Sequence, residues 1–341
     1  MAAIEFEERD LHAKVPDLAA GGAWTQVRLR WRRDPLTGAS ARILTGVKLQ
    51  PPTRPDLTEL VAKPAFCPFD REHLETATVP FPAELTTEGR IRLGQAVVVP
   101  NIMAYATHSA VGIYDPGRHF LDLDDLTPSL VGDALTVMVR HARLVRRLDP
   151  TAVWSSISAN YLPPSGASLV HPHLQSAHDA CGLTGQRVLA ERSRAWHDRH
   201  GSYWAALVDQ EAGGPRWAGQ VGRVSWLTPF APTGFHEVWG VVSGAADVTE
   251  LTEEDSQALG QGLSQVLAAY RAWNLTSFNF AVIGGGPQAR EHGHQVVLKV
   301  ISRSNPEPWY RSDATYFERL YGEALIDLSP EEVADGVRAR F

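Results

Sequence analysis

The apolar positions between residues 95 and 176 follow an order of patterns that returns between residues 222 and 302. QAVVVPNIMAYATHSAVGIYD reads as a strand, a turn at Pro-Asn and a second strand. In LTPSLVGDALTVMVRHARLVRRL the apolar residues recur at helical spacing, and Thr127 stands where a cap belongs. AVWSSISANY returns to a strand pattern, and GASLVHPHLQ (Gly166–Gln175) closes the unit. The second run starts with GRVSWLTPFAPTGFHEVWGVV, again strand, turn and strand. LTEEDSQALGQGLSQVLAAYRAW is an amphipathic helix in which Thr252 and Asp255 form a capping-box pattern. SFNFAVIGGGP and EHGHQVVLKVIS end it as strands.

Both units read strand–strand–helix–strand–strand, and both carry His-X-His near the last strand. The pattern predicts an α+β fold of duplicated half-units, an antiparallel sheet backed by helices. One domain spans residues 1–341, with halves of about 20–200 and 201–341. Before residue 60 the chain reads as irregular, except that PLTG (Pro35–Gly38) between VRLRWRR and ARILTGVKL signals a hairpin.

Composition narrows the partners. The 341 residues are 44% hydrophobic and 21% charged, with a net charge of −7 and no basic block. That excludes wrapping of nucleic acid and leaves room for a local phosphate pocket. The amino terminus is acidic and lacks an apolar run, and no stretch reaches the roughly eighteen apolar residues of a membrane span. A cytoplasmic location without membrane partners is the expectation. Cys67 and Cys181 are too few for a disulfide framework.

The candidate chemistry lies in GASLVHPHLQ. On an extended strand His171 and His173 would share a face, and Pro172 restricts them to a strand end or edge. Gly166 permits close approach to the backbone, Ser168 offers a donor, and Gln175 returns to the histidine face. A histidine among neutral donors suits attack on phosphorus, with the donors stabilising charge on the non-bridging oxygens.

This stretch resembles the active-site motif of the galactose-1-phosphate uridylyltransferase family, a branch of the histidine-triad superfamily. RRDPLTG (Arg32–Gly38), FCPFD (Phe66–Asp70), VVPN (Val98–Asn101), HFLDLDDLTP (His119–Pro128) and the tail YFERLYGEALIDLSPEEVADGVR resemble further family segments in the same order. The resemblance implies histidine-triad-like half-units, a homodimer and a ping-pong nucleotidyl transfer. His173 would take a nucleoside monophosphate from a nucleoside diphosphate sugar and pass it to a sugar 1-phosphate. Gln175 would hold the phosphoryl oxygens, and Asn101, Asn160, Gly166 and Ser168 match family contacts to nucleotide and phosphates. Lys48 is the nearest basic candidate from the amino-terminal arm, and Tyr316, Phe317 and Glu318 of the tail bear on the acceptor. Phosphorolysis or hydrolysis of the nucleotide sugar, and a repurposed nucleotide-binding protein, are the alternatives.

The resemblance also implies a structural zinc site at Cys67, Asp70, His119 and His171, where Asp70 replaces the family's cysteine. Carboxylate oxygen is an acceptable zinc ligand. A second family metal site matches poorly. Gln186 and Glu191 stand near its glutamate, Gly284–Gly286 at its lone histidine, and Gln295 and Val297 at its His-X-His unless His292 and His294 shift into place. The reading is that this second site is lost.

Overall fold

The computed structural model describes residues 3–18, 20–45, 52–103, 105–307 and 312–341. The amino-terminal region forms β1 (Glu7–Asp17), β2 (Ala23–Arg33) and β3 (Ser40–Leu44), followed by the short α1 (Leu74–Ala77). The expected PLTG hairpin is the β2–β3 pair. The reading of the remainder as irregular is corrected: β1 pairs with β2 along all eleven residues. This ribbon is exposed along much of both strands, so its alternation is diluted by charge.

The first unit comprises β4 (Ile91–Leu93), β5 (Ala96–Pro100), β6 (His108–Ile113), α2 (Pro128–Leu148), β7 (Trp154–Tyr161) and β8 (His173–Asp179). Next come α3 (Thr184–His200) and α4 (Tyr203–Glu211). The second unit comprises β9 (Trp217–Val221), β10 (Val224–Leu227), β11 (Val238–Val242), α5 (Glu253–Ala272), β12 (Ser277–Ile283) and β13 (Val296–Arg303). Strand β14 (Ala324–Ile326), parallel to β3, and α6 (Pro330–Arg338) complete the chain.

The ten strands β4–β13 make one antiparallel sheet in the order β4-β5-β6-β8-β7-β12-β13-β11-β10-β9. Read inward from each edge, the two units have the same order, and they join where β7 pairs with β12. Each unit has three strands before its helix rather than two. The additional ones, β4 and β9, are short and sit at the sheet's two edges.

Helices α2 and α5 back the sheet, and the main core lies beneath them. The Thr252–Asp255 capping box of α5 forms; Thr127 occupies the cap position of α2 without a side-chain hydrogen bond. The helices cross at glycines. A Cβ on Gly260 would stand 2.5 Å from Gly132 N and 2.8 Å from Pro128 O. Backbone cannot yield as a flexible side chain can, so Gly260→Ala should destabilise by about 2–3 kcal/mol, read by denaturant unfolding.

The helix side of the sheet also buries His141 of α2 and His178 of β8. Their Nδ1 and Nε2 atoms are 3.2 Å apart, and His178 Nδ1 meets Ser155 Oγ at 3.0 Å. Only one proton fits between these nitrogens, so the two rings cannot both be charged. Burial draws the His178 pKa down to about 4 and holds that of His141 well below the ordinary histidine value.

The opposite face is covered unevenly. Phe69 and Leu74 cover β5 and β6 on one side, while α3 and α4 cover β10, β11 and β13 on the other. Between these two clusters the sheet presents a polar strip on β8, β7 and β12.

Candidate active site

Strand alternation decides which side chains reach this strip. His173 and Gln175 of β8 point to it, while Leu174, Ser176 and His178 point to the helix side. Gln175 lies between Val111 of β6 and Ser158 of β7. Asn160, two residues beyond Ser158, shares the face, and Asn279 of β12 is its cross-strand partner.

The expectation that His171 and His173 share a strand is corrected. β8 begins at His173, and His171 and Pro172 precede it. Proline has no N–H for the ladder, which places the strand start after it. His173 Nδ1 lies 2.8 Å from the His171 carbonyl oxygen. A carbonyl only accepts, so Nδ1 carries the proton and Nε2 carries the lone pair. Burial lowers the His173 pKa against the opposing pull of that hydrogen bond. The ring, edge-on to Phe69 at 5.3 Å, is thus a neutral imidazole held in one tautomer.

The chain reaches His173 through a tight reversal. Leu162 has φ 65° and Gly166 φ 96°, the latter in the left-handed region that glycine occupies without strain. This turn puts Gly166 beside Asn160: a Cβ on Gly166 would stand 3.9 Å from Asn160 Nδ2. Ser168, on the same reversal, is exposed. Asn101 follows β5 and uses its Oδ1 to accept from Met103 N at 2.9 Å. Its Nδ2 and the Ser109 hydroxyl are buried without hydrogen-bond partners among the described residues. Ser109 lies opposite Ala177 of β8, so it faces the strip as His173 does. Sequence reading overlooked it, although a serine at an alternate position of an apolar strand was a usable signal.

Cys67, Asp70, His119 and His171 come together, their candidate ligand atoms all within 4.8 Å of one another. The turn at FCPFD creates half the group, with Asp70 N donating to Cys67 O and its own carbonyl accepting from His73 and Leu74 N–H. Asp70 Oδ1 meets His119 Nδ1 at 3.0 Å and His171 Nδ1 at 3.1 Å, while Cys67 Sγ is 3.8 Å from His171 Nδ1. His171 Nε2 is 3.1 Å from the Asp115 carbonyl and must donate to it. In a neutral His171, Nδ1 is therefore a lone pair facing a carboxylate oxygen. Burial pulls the His171 pKa down, against the raising effects of Asp115 and Asp70. Asp70 Oδ2 makes no hydrogen bond among the described residues, although Lys63 Nζ stands 3.5 Å away. Burial raises the Asp70 pKa, and hydrogen bonds and charge from His119 and His171 outweigh it, leaving a net lowering. An inward-facing set of S, O, N and N donors with opposed lone pairs fits a divalent cation.

The residues considered for a second metal site do different things. Gln186 is buried in α3, donating to Ser155 O and accepting from Leu183 N, and Glu191 is exposed. His294 is buried against Trp204, with Nδ1 3.3 Å from Ser193 Oγ and Nε2 lacking a partner among the described residues. Burial draws its pKa down to about 4. Gly285 packs on the His294 ring. His292 is half-buried, and Val297 lies in the core beneath α3 and α4.

In the tail, Tyr316 stacks on Phe317 at 4.4 Å and is exposed. Glu318 closes its own turn, accepting from Thr315 N and Oγ1 and from Leu325 N. A cavity of about 230 Å³ lies beside it, bounded by Ile301, Arg303 and Asp313. Lys48 lies outside the described residues.

The chain shares its fold with an ADP-glucose phosphorylase and with a uridylyltransferase. It superposes on an ADP-glucose phosphorylase from Arabidopsis thaliana with ADP-glucose bound at a TM-score of 0.69, with 17% identity over 90% of this chain and 98% of that one. A uridylyltransferase superposes at 0.67, with 20% identity over 91% of this chain and 97% of its own. An uncharacterized protein of Archaeoglobus fulgidus is 25% identical over 338 residues, 98% of both chains. No family model matches. The shared architecture is the α+β antiparallel sheet backed by helices that the repeat led us to expect. Among the described residues, no helix is long and apolar enough to cross a membrane.

Proposed function

We propose that the protein is a nucleotidyltransferase that carries a nucleoside monophosphate on His173 between phosphorylated acceptors. The observation that supports this most is the hydrogen bond from His173 Nδ1 to the His171 carbonyl, which leaves Nε2 as the reactive nitrogen on the polar strip. In the first half-reaction, Nε2 attacks the α-phosphorus of a nucleoside diphosphate sugar. The N–P bond forms, the P–O bond to the β-phosphate breaks, and sugar 1-phosphate leaves with the electron pair. In the second, an acceptor oxygen attacks the same phosphorus and the N–P electrons return to Nε2. Gln175, Asn160, Ser168 and the Gly166 turn would surround the phosphates, and Asn101 the nucleoside. The active form would be a homodimer in the cytoplasm.

Two acceptors fit, a second sugar 1-phosphate or inorganic phosphate. With the first the reaction is a nucleotidyl exchange, with the second a phosphorolysis. The ADP-glucose phosphorylase of like fold makes that chemistry a natural comparison. Incubation with ADP-glucose or UDP-glucose in the absence of acceptor should add one nucleoside monophosphate to the intact mass. No gain with any nucleoside diphosphate sugar would overturn the reading.

Cys67, Asp70, His119 and His171 would hold zinc, and a bound zinc would supply a rigid anchor rather than a reactive group. Through His171 it would fix the carbonyl that sets the His173 tautomer. Purified protein should contain about one zinc per chain by elemental analysis. Asp70→Ala should lose most of it and unfold at lower temperature; a metal-free wild-type protein of unchanged stability would contradict the assignment.

A further inference from the structure

Asn160 does not set its own orientation. Its side-chain oxygen accepts from Asn279 Nδ2 at 2.6 Å, across the joint between the two units. The direction of this bond is fixed from both ends of Asn279. Arg303 can only donate, and its Nη1 stands 2.7 Å from Asn279 Oδ1. The carbonyls of Ser165 and Ala159 can only accept, and they lie 3.0 and 3.3 Å from Asn279 Nδ2. Asp313 holds the guanidinium in turn, with Nε 2.8 Å from Oδ2 and Nη2 2.5 Å from Oδ1. Both members of that ion pair are mostly buried, with side chains 15% and 11% exposed. Asn160 therefore keeps its oxygen turned away and its Nδ2 donors beside the Gly166 turn.

We propose that Asp313, Arg303 and Asn279 are positioning residues, a relay that holds Asn160 with its N–H groups toward the phosphates of the bound nucleotide. The inference rests on the nucleotidyl reading above and deepens it. The relay couples the second unit and the tail to the phosphate site built by the first. An amide turned the other way would present a carbonyl oxygen to an anion, so its direction matters as much as its presence.

Asn279→Asp reverses the relay. The new carboxylate keeps the Arg303 pair but can only accept, so it gives up the Ser165 and Ala159 carbonyls, draws Asn160 Nδ2 toward itself and turns Asn160 Oδ1 to the phosphates. Calorimetric affinities for ADP and UDP should weaken about 10- to 100-fold, the scale of a charge-assisted hydrogen bond replaced by repulsion. Asn279→Ala, which adds no charge, should weaken them about threefold, and guards against a folding defect in the aspartate variant. The decisive readout is non-additivity: Asn279→Asp combined with Asn160→Ala should bind as Asn160→Ala does alone. Losses that multiply in the double variant, or Asn279→Asp binding as tightly as wild type, overturn the relay and leave the nucleotidyl reading intact. Wild-type protein that binds neither nucleotide overturns both.

Discussion

His173→Asn should form no nucleotidyl adduct, and its turnover should fall by at least about 10⁴-fold. An amide nitrogen has no available lone pair, so no N–P bond can form and both half-reactions stop. Asparagine still carries an N–H able to meet the His171 carbonyl, so the strand start should remain in place. Affinity for ADP or UDP should stay within about threefold of wild type, because the surrounding phosphate donors are untouched. A loss in turnover without a loss in affinity is the mark of a group that acts only in the chemical step. Turnover within tenfold of wild type would remove His173 from the mechanism.

Acid should unfold the protein well above the pH at which most carboxylates titrate. His178 and His294 are buried and neutral, each with a pKa lowered to about 4, and His141 is lowered as well. The unfolded chain binds protons at the ordinary histidine value near 6.5. Between those values the unfolded state holds more protons, so stability is fully present above about pH 6.5 and is lost as pH falls toward 4. A shift of about 2.5 units corresponds to roughly 3 kcal/mol for each of His178 and His294. Two such losses are comparable with the whole stability of many domains, about 5–15 kcal/mol. Denaturant midpoints measured from pH 7 to pH 4.5 should fall steeply, and His178→Gln should flatten the slope. A midpoint independent of pH in this window would show that these rings are solvated.

The large periodic elements were legible because their patterns are local. Helices α2 and α5, the strand patterns of both units and the Thr252–Asp255 cap follow from spacing alone. Strand β1 was not, because only Leu11, Ala13 and Val15 mark its half-buried face and charge fills its first four residues. Strand β4, three residues long, falls below the length at which a period registers, and WAGQV of β9 carries no apolar–polar alternation. The motif pointed to His173, yet its tautomer comes from a carbonyl two residues back, and only the break between His171 and β8 reveals it. Asn279 was written into SFNFAVI as one polar residue in an apolar strand. Its meaning depends on a register between segments 119 residues apart, which no local pattern encodes.

On this reading Nε2 of His173, and no other atom, bears the nucleotidyl group. Protein carrying ¹⁵N-histidine, loaded from the donor that gives an adduct, would show by ³¹P–¹⁵N correlation which ring nitrogen is bonded to phosphorus. A single coupling to Nε2 is expected, absent in His173→Asn. Coupling to Nδ1, or phosphorus bound to any other residue, would contradict it.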